Sequence, residues 1–286
     1  MNYYNNVIVI GTGRLAKDCL GNLLDKNINL VCIEPVTTNF PLLSNYCFRN
    51  FIKYLKITNK KEIDDYFLSI TEKTLVVSAY NIHIFSANVV SHPKLLIINF
   101  HNSLLPKYRG RNSPSWAIFN MDTITGITWH KISDEIDKGA IIIQESLEIP
   151  KEITAIKLSE LCLLSGSNMF AKIVDSLLEN NFQLQINSNY DFEKIHYSNE
   201  IPNNGFYDIN WKVEKGFAFL RSLDYSDYRI FPSAKLEIGG IIFDIIEYKK
   251  FFLKELYINF NISSNQNLNL ILSDQTGEYL ILTLKK

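Results

Sequence analysis

Cysteine is scarce in this chain. Cys19, Cys32, Cys47 and Cys162 are the only four in 286 residues, and no two of them form a CxxC pair. Structural zinc needs clustered ligands and a disulfide framework needs an oxidising compartment. Both are therefore set aside, and the four are expected to be free thiols, buried or half-buried, in a reducing cytoplasm. Long hydrophobic runs are missing too. Stretches such as Ala140 to Ile143 fall far short of the ~20 apolar residues that cross a bilayer. The opening MNYYNNVIVIG has no basic stretch ahead of an apolar core, so neither a signal peptide nor a membrane association is expected, and the location is expected to be cytoplasmic. Neither sign of charge is in excess: 29 Lys and Arg against 30 Asp and Glu leave −1. That balance gives no basic sheath for nucleic acid, and no nucleic-acid partner is expected. The G-x-S-x-G elbow of serine hydrolases is absent.

What is present is ordinary globular material, 47% hydrophobic and 21% charged, enough for one large domain and one small one. Val7 to Ile10 is a short apolar strand. Gly11-Thr12-Gly13 follows it, then a helix with Leu15, Cys19, Leu20 and Leu23 at helical spacing, then a strand at Asn29 to Ile33: the opening of a βαβ unit. A loop around Pro35 to Ser44 leads to a helix near Lys61 to Ser69 and buried strands at Thr74 to Ala79 and Leu95 to Phe100. A helix at Ser115 to Asn120, paired strands at Gly126 to Ile132 and Ala140 to Glu145, and a helix from Thr154 to about Glu179, broken near Ser165-Gly166-Ser167, complete the first domain. Residues 187–204, rich in Asn, Ser and Tyr, read as a linker. Beyond them a helix at Lys212 to Leu223 precedes two hairpins, one turning at Gly239-Gly240 and one around Gln275-Thr276-Gly277. The expectation is an α/β fold, a Rossmann-like and mostly parallel sheet flanked by helices over 1–186, with a small β-rich domain over 205–286.

Gly11-Thr12-Gly13-Arg14-Leu15-Ala16 fits a dinucleotide fingerprint, and Glu34 ends the next strand where a ribose-binding acid would stand. That supports a nicotinamide-dependent oxidoreductase. Glycines are equally needed wherever a first strand turns tightly into a helix, and helix N-termini bind other anions. The middle of the chain decides between these. In Ile97-Ile98-Asn99-Phe100-His101 the alternation of a strand puts Asn99 and His101 on one face, at the carboxyl end where open α/β sheets bind ligands. The loop after it carries Ser103, Lys107, Arg109, Arg111 and Asn112, and Thr128, His130, Asp134, Asp137 and Gly139 follow. An imidazole takes a proton near neutral pH, an amide stabilises an oxyanion, and an acid orients the imidazole. Only two plausible ligands converge, so no metal is expected. His130 shares a face with Thr128 and lines the site or packs in the core. His83, His92 and His196 have no such context and are read as structural.

HNSLLPKYRGR followed by TGITWHKISDEIDKGAIIIQ resembles the N10-formyltetrahydrofolate-dependent formyltransferases, closely from about Ser78 to Gln144 and diffusely elsewhere. The resemblance implies N10-formyltetrahydrofolate as formyl donor and Asn99, His101 and Asp137 as the catalytic residues, with His101 as base and Asn99 on the oxyanion. It implies donor contacts from Ser78, Tyr80, Ile82, Asp134 and Gly139. RGRNSPSWAI and the GTGRLA turn resemble the amino-sugar branch. They imply a nucleotide-linked (dTDP- or UDP-) amino sugar as acceptor, touched by Gly13, Arg14, Ser103, Lys107, Arg109 and Asn112. Methionyl-tRNA formylation is the alternative acceptor chemistry, and folate hydrolysis or dehydrogenation is a further one. Tyr207, Trp211, Tyr225, Tyr228 and Phe231 are candidates to stack on the nucleotide base, and a homodimer through the C-terminal domain is expected.

Overall fold

The computed structural model describes residues 2–35, 43–186, 194–228, 230–252, 268–274 and 277–285. They form two compact units, each drawn from several stretches of chain. The first comprises Met1–Gly110, Gly126–Leu147 and Glu160–Ile195. The second comprises Arg111–Thr125, Glu148–Ser159 and His196–Lys286.

The first unit opens with β1 (Asn6–Gly11), α1 (Gly13–Leu23), β2 (Asn29–Pro35), α2 (Ser44–Arg49), β3 (Lys53–Ile57), α3 (Lys60–Leu68), β4 (Thr74–Ala79), α4 (Ala87–Val90), β5 (Leu95–His101) and the short β6 (Arg109–Gly110). After α5 (Ser113–Phe119) come β7 (Ile124–Lys131), β8 (Ile141–Glu148), α6 (Ala155–Leu178) and the short β9 (Ile195–His196). One seven-stranded sheet runs β3-β2-β1-β4-β5-β7-β8. Its first five strands pair in parallel and β7 pairs antiparallel to β5. The continuous apolar runs VIVI and LVV are what strands covered on both faces require, and Val7, Val9, Ile10, Leu75, Val76 and Val77 are all buried. The strand order reverses between β1 and β4, which opens the crevice beyond their carboxyl ends. Gly11 is required there: a Cβ on it would lie 1.8 Å from the Ala79 carbonyl oxygen.

Three expectations are corrected. α6 is unbroken through Ser165-Gly166-Ser167. Gly166 serves packing, since a Cβ would come within 2.2 Å of the Phe100 ring, and its carbonyl accepts from Trp129 Nε1 at 3.0 Å. α6 is long and apolar enough to cross a membrane by length and composition, yet Cys162, Phe170 and Leu177 along it are buried as in a core helix. β3 and α2 are too short to carry a long periodic pattern, so the sequence gives no signal for them. Of the expected linker, 187–193 lies outside the described residues, and the rest is not structureless. His196 lies in β9, and the Arg111 N–H donates to its carbonyl at 2.8 Å. The continuous boundary at 187–204 gives way to an interleaved one, because α5 packs with α7 (Val213–Leu223).

The second unit carries a four-stranded antiparallel sheet. Its strands are β10 (Lys235–Ile238), β11 (Ile241–Phe252), β12 (Leu268–Ser273) and β13 (Glu278–Lys285), in the order β10-β11-β13-β12. The hairpins are the expected ones, with Gly239 and Gly240 at φ 58° and 79°; Gln275 and Thr276 lie outside the described residues. Lys250 is nearly buried among Glu214 at 2.9 Å, Glu152 at 3.2 Å and Glu278 at 3.6 Å.

Candidate active site

Sheet register assembles the site within the first unit. Ser78 on β4 pairs with Asn99 on β5, and Asn99 pairs with His130 on β7. Three polar side chains therefore stand in a row on one face of three neighbouring strands. The Ser78 hydroxyl donates to Asn99 Oδ1 at 2.7 Å, and Asn99 Nδ2 lies 3.2 Å from His130 Nε2. His130 is buried, with Nδ1 3.0 Å from the Lys131 carbonyl. It belongs to the polar row and not to an apolar core.

His101 ends β5 and is 5% exposed. Its Nε2 lies 2.9 Å from the Tyr108 carbonyl, an acceptor, so the ring proton is on Nε2 and Nδ1 faces Asp137 Oδ2 at 3.4 Å. The other oxygen of Asp137 is 3.6 Å from His130 Nε2. Burial alone would raise the Asp137 pKa. The neighbouring His101 and His130 imidazoles and the Gly110 N–H, which donates at 2.8 Å, together outweigh it and hold the carboxyl well below the usual carboxylate range.

Asp137 has φ 49°, a left-handed conformation that costs a non-glycine residue about 1–2 kcal/mol. Two adjacent residues restrain it. Arg109 donates from Nε (3.0 Å) and Nη2 (2.7 Å) to the Ile136 carbonyl, while the Gly110 N–H donates to the Asp137 carboxylate. Gly139 closes the neck of the same loop: a Cβ there would lie 1.6 Å from the Lys131 carbonyl oxygen.

Several residues expected to hold ligands are spent on the protein itself. Ser78 is 1% exposed and bonded to Asn99. Ser103, also buried, donates to the Lys107 carbonyl. Arg109 is 4% exposed and clamps the Asp137 loop. Gly139 meets a steric need. Arg14 is not among them: it is exposed, and its ion pair with Asp18 at 3.5 Å on its own helix leaves the guanidinium open to solvent. Asn112 belongs to the second unit, where its carbonyl accepts from the Ser115 and Trp116 N–H groups at the start of α5. Tyr80 and Ile82, just after β4, are exposed, as are Asp134 and Lys107; Gly13 is half-exposed at φ 68°. Among the stacking candidates Tyr207, Tyr225 and Phe231 are core residues of the second unit, whereas Tyr228 is exposed.

Glu34 answers the nicotinamide question. It is 1% exposed, and its carboxylate accepts from Thr12 Oγ1 at 3.2 Å, the Leu43 N–H at 3.1 Å and Tyr54 Oη at 2.9 Å. An acid held in that way is not presented to a ribose, and the oxidoreductase alternative loses its second support. His196, read as structural, stacks on Trp116 at 4.0 Å and pairs with Glu200 at 3.2 Å. Among the described residues no group of three His, Cys, Asp or Glu is placed to hold a metal. All four cysteines are free and buried, as expected.

The family described as formyl transferase matches residues 50–174, the stretch that holds the strand-end amide, the imidazole and the loop carboxylate. The chain is 30% identical over 167 residues to the bifunctional polymyxin resistance protein ArnA of Wigglesworthia glossinidia brevipalpis, covering 58% of this chain and 25% of that protein. It is 25% identical over 245 residues to the GDP-perosamine N-formyltransferase of Brucella melitensis, covering 83% of this chain and 90% of the relative. The fold matches that of an N-formyltransferase from Helicobacter canadensis, solved with folinic acid and dTDP-3-aminofucose, with a TM-score of 0.72, 20% identity, and coverage of 98% of this chain and 99% of that one.

Proposed function

We propose that this protein transfers the formyl group of N10-formyltetrahydrofolate to the amine of a nucleotide-linked amino sugar. The observation that carries the proposal is the convergence of Asn99, His101 and Asp137 at one end of the sheet in a formyl transferase domain. The acceptor's neutral nitrogen attacks the formyl carbon, and the carbonyl oxygen gains charge. Asn99 Nδ2 donates to that oxygen. His101 takes the proton of the attacking nitrogen at Nδ1, the nitrogen left basic by the Tyr108 carbonyl. The imidazolium so formed lies between that carbonyl and the Asp137 carboxylate, and Asp137 assists return of a proton to the departing folate nitrogen through water. Tyr80, Ile82 and Asp134 supply the donor contacts, and Gly13, Arg14 and Lys107 the acceptor contacts.

The sugar reading is favoured over methionyl-tRNA by the relative that acts on a nucleotide sugar, of which the chain spans 90%. Purified protein is given the formyl-folate donor with dTDP-, UDP- and GDP-amino sugars and, separately, with methionyl-tRNA. An N-formyl sugar is the expected product, and turnover with the tRNA alone would reverse the assignment. Exposed Ile241, Ile242, Ile246 and Ile271 on the C-terminal sheet support pairing of two copies, for which mass in solution is the check.

A further inference from the structure

The hydrogen bonds around Asn99 form a directed chain whose direction is fixed at both ends. At one end the His83 backbone N–H, which can only donate, gives its proton to Asn81 Oδ1 at 2.9 Å. The Asn81 amide nitrogen is thereby turned to Ser78 Oγ at 3.3 Å, and to the His83 carbonyl at 3.3 Å. A hydroxyl has one proton. With a lone pair of Ser78 receiving from Asn81, that proton goes to Asn99 Oδ1 at 2.7 Å. Asn99 Nδ2 then donates to His130 Nε2 at 3.2 Å, and His130 Nδ1–H donates to the Lys131 carbonyl at 3.0 Å, a group that can only accept. With His130 neutral, the two carboxamides, the hydroxyl and the imidazole in between all run in one direction; Asp137 Oδ1, 3.6 Å from His130 Nε2, lies beyond hydrogen-bond distance.

We propose that Ser78 and Asn81 are positioning residues that decide which way round the Asn99 carboxamide stands, so that its NH2 group and not its oxygen meets the developing oxyanion. The inference rests on the formyl-transfer reading above. The two ends of a carboxamide are nearly the same size, so packing alone does not choose between them, whereas a reversed amide would set oxygen against oxygen where a donor is required.

Asn81→Asp keeps the shape of residue 81 and replaces its donor by an acceptor. The Ser78 proton then turns to the new carboxylate and Asn99 loses the bond that orients it. Asn81→Ala removes more contacts but leaves the Ser78 proton on Asn99. The expected fall in kcat is about 10²-fold for Asn81→Asp, about tenfold for Ser78→Ala and smaller for Asn81→Ala, with both KM values within about threefold of wild type. A purely structural role for Asn81 makes the alanine variant the worse of the pair, and that order would overturn the proposal. The side-chain NH2 resonances of Asn99, followed by 15N NMR, give a readout free of turnover. They are expected to shift in Asn81→Asp and Ser78→Ala. Unchanged resonances in both would overturn the proposal even in an enzyme inactive on every amine supplied, whereas inactivity of the wild type by itself counts only against the formyl-transfer reading.

Discussion

Arg109→Ala tests how the site holds its acid. The guanidinium makes two charge-assisted bonds to the Ile136 carbonyl, at 3.0 and 2.7 Å, together worth about 2–4 kcal/mol, given about 1.5–3 kcal/mol for a single bond to a charged group and sharing of one acceptor. Against them stands the left-handed backbone of Asp137, which relaxation would relieve by about 1–2 kcal/mol. Without the clamp the loop is free to leave that conformation, and the carboxylate leaves His101 and His130. If about 2 kcal/mol of this reaches the transition state, kcat/KM falls about thirtyfold. The effect is expected in kcat, because Arg109 is buried and bonded to its own chain. The assay is formyl-transfer kinetics on Arg109→Ala, Asp137→Asn and the double variant. If Arg109 acts only by holding Asp137, the double variant is no slower than Asp137→Asn alone. Multiplying losses, or a rise confined to the acceptor KM, would refute the clamp and restore Arg109 to substrate binding.

Two other outcomes follow from geometry already described. Gly11→Ala drives a methyl into the Ala79 carbonyl, which no rotamer relieves. It should cost at least the 1–3 kcal/mol typical of overpacking, and thermal denaturation indistinguishable from wild type would contradict the close approach of β1 and β4. Asp137 has a folded pKa below its unfolded value, so its contribution to stability is present above the unfolded pKa of about 3.9 and is lost as pH falls through the lower folded value. Asp137→Asn should therefore destabilise at neutral pH, with the deficit shrinking in strong acid. A 13C carboxyl inflection for Asp137 at or above the ordinary Asp value would show the sign to be wrong.

The alternation in Ile97-Ile98-Asn99-Phe100-His101 made the site's location legible, because a period of two is enough to put two strand-end groups on one face. The parallel core was legible for a similar reason, since strands covered on both faces are written as unbroken apolar runs. The destination of each polar side chain was not. Ser78, Ser103 and Arg109 carry the same donors whether they reach a ligand or an acceptor of their own chain; cross-strand register decides it for Ser78, the turn to Lys107 for Ser103 and the path of the loop at Ile136 for Arg109, none of which the pattern encodes. Interleaving of the two units was hidden for a related reason: α5 has the periodicity of any buried helix, and periodicity does not say which core receives it. His130 had a signal, its place two residues from Thr128, but its pairing with Asn99 required the register.

The four thiols turn the protein into its own reporter of opening. Burial pushes Cys162 up to about 12, and it and Cys19, Cys32 and Cys47 are closed off from solvent, so an alkylating reagent can mark them only while the surrounding structure is breached. Cys19, Cys32 and Cys47 lie in α1, β2 and α2, and Cys162 in α6. The order in which mass tags accumulate would thus time the loosening of separate parts of the molecule without any engineered label.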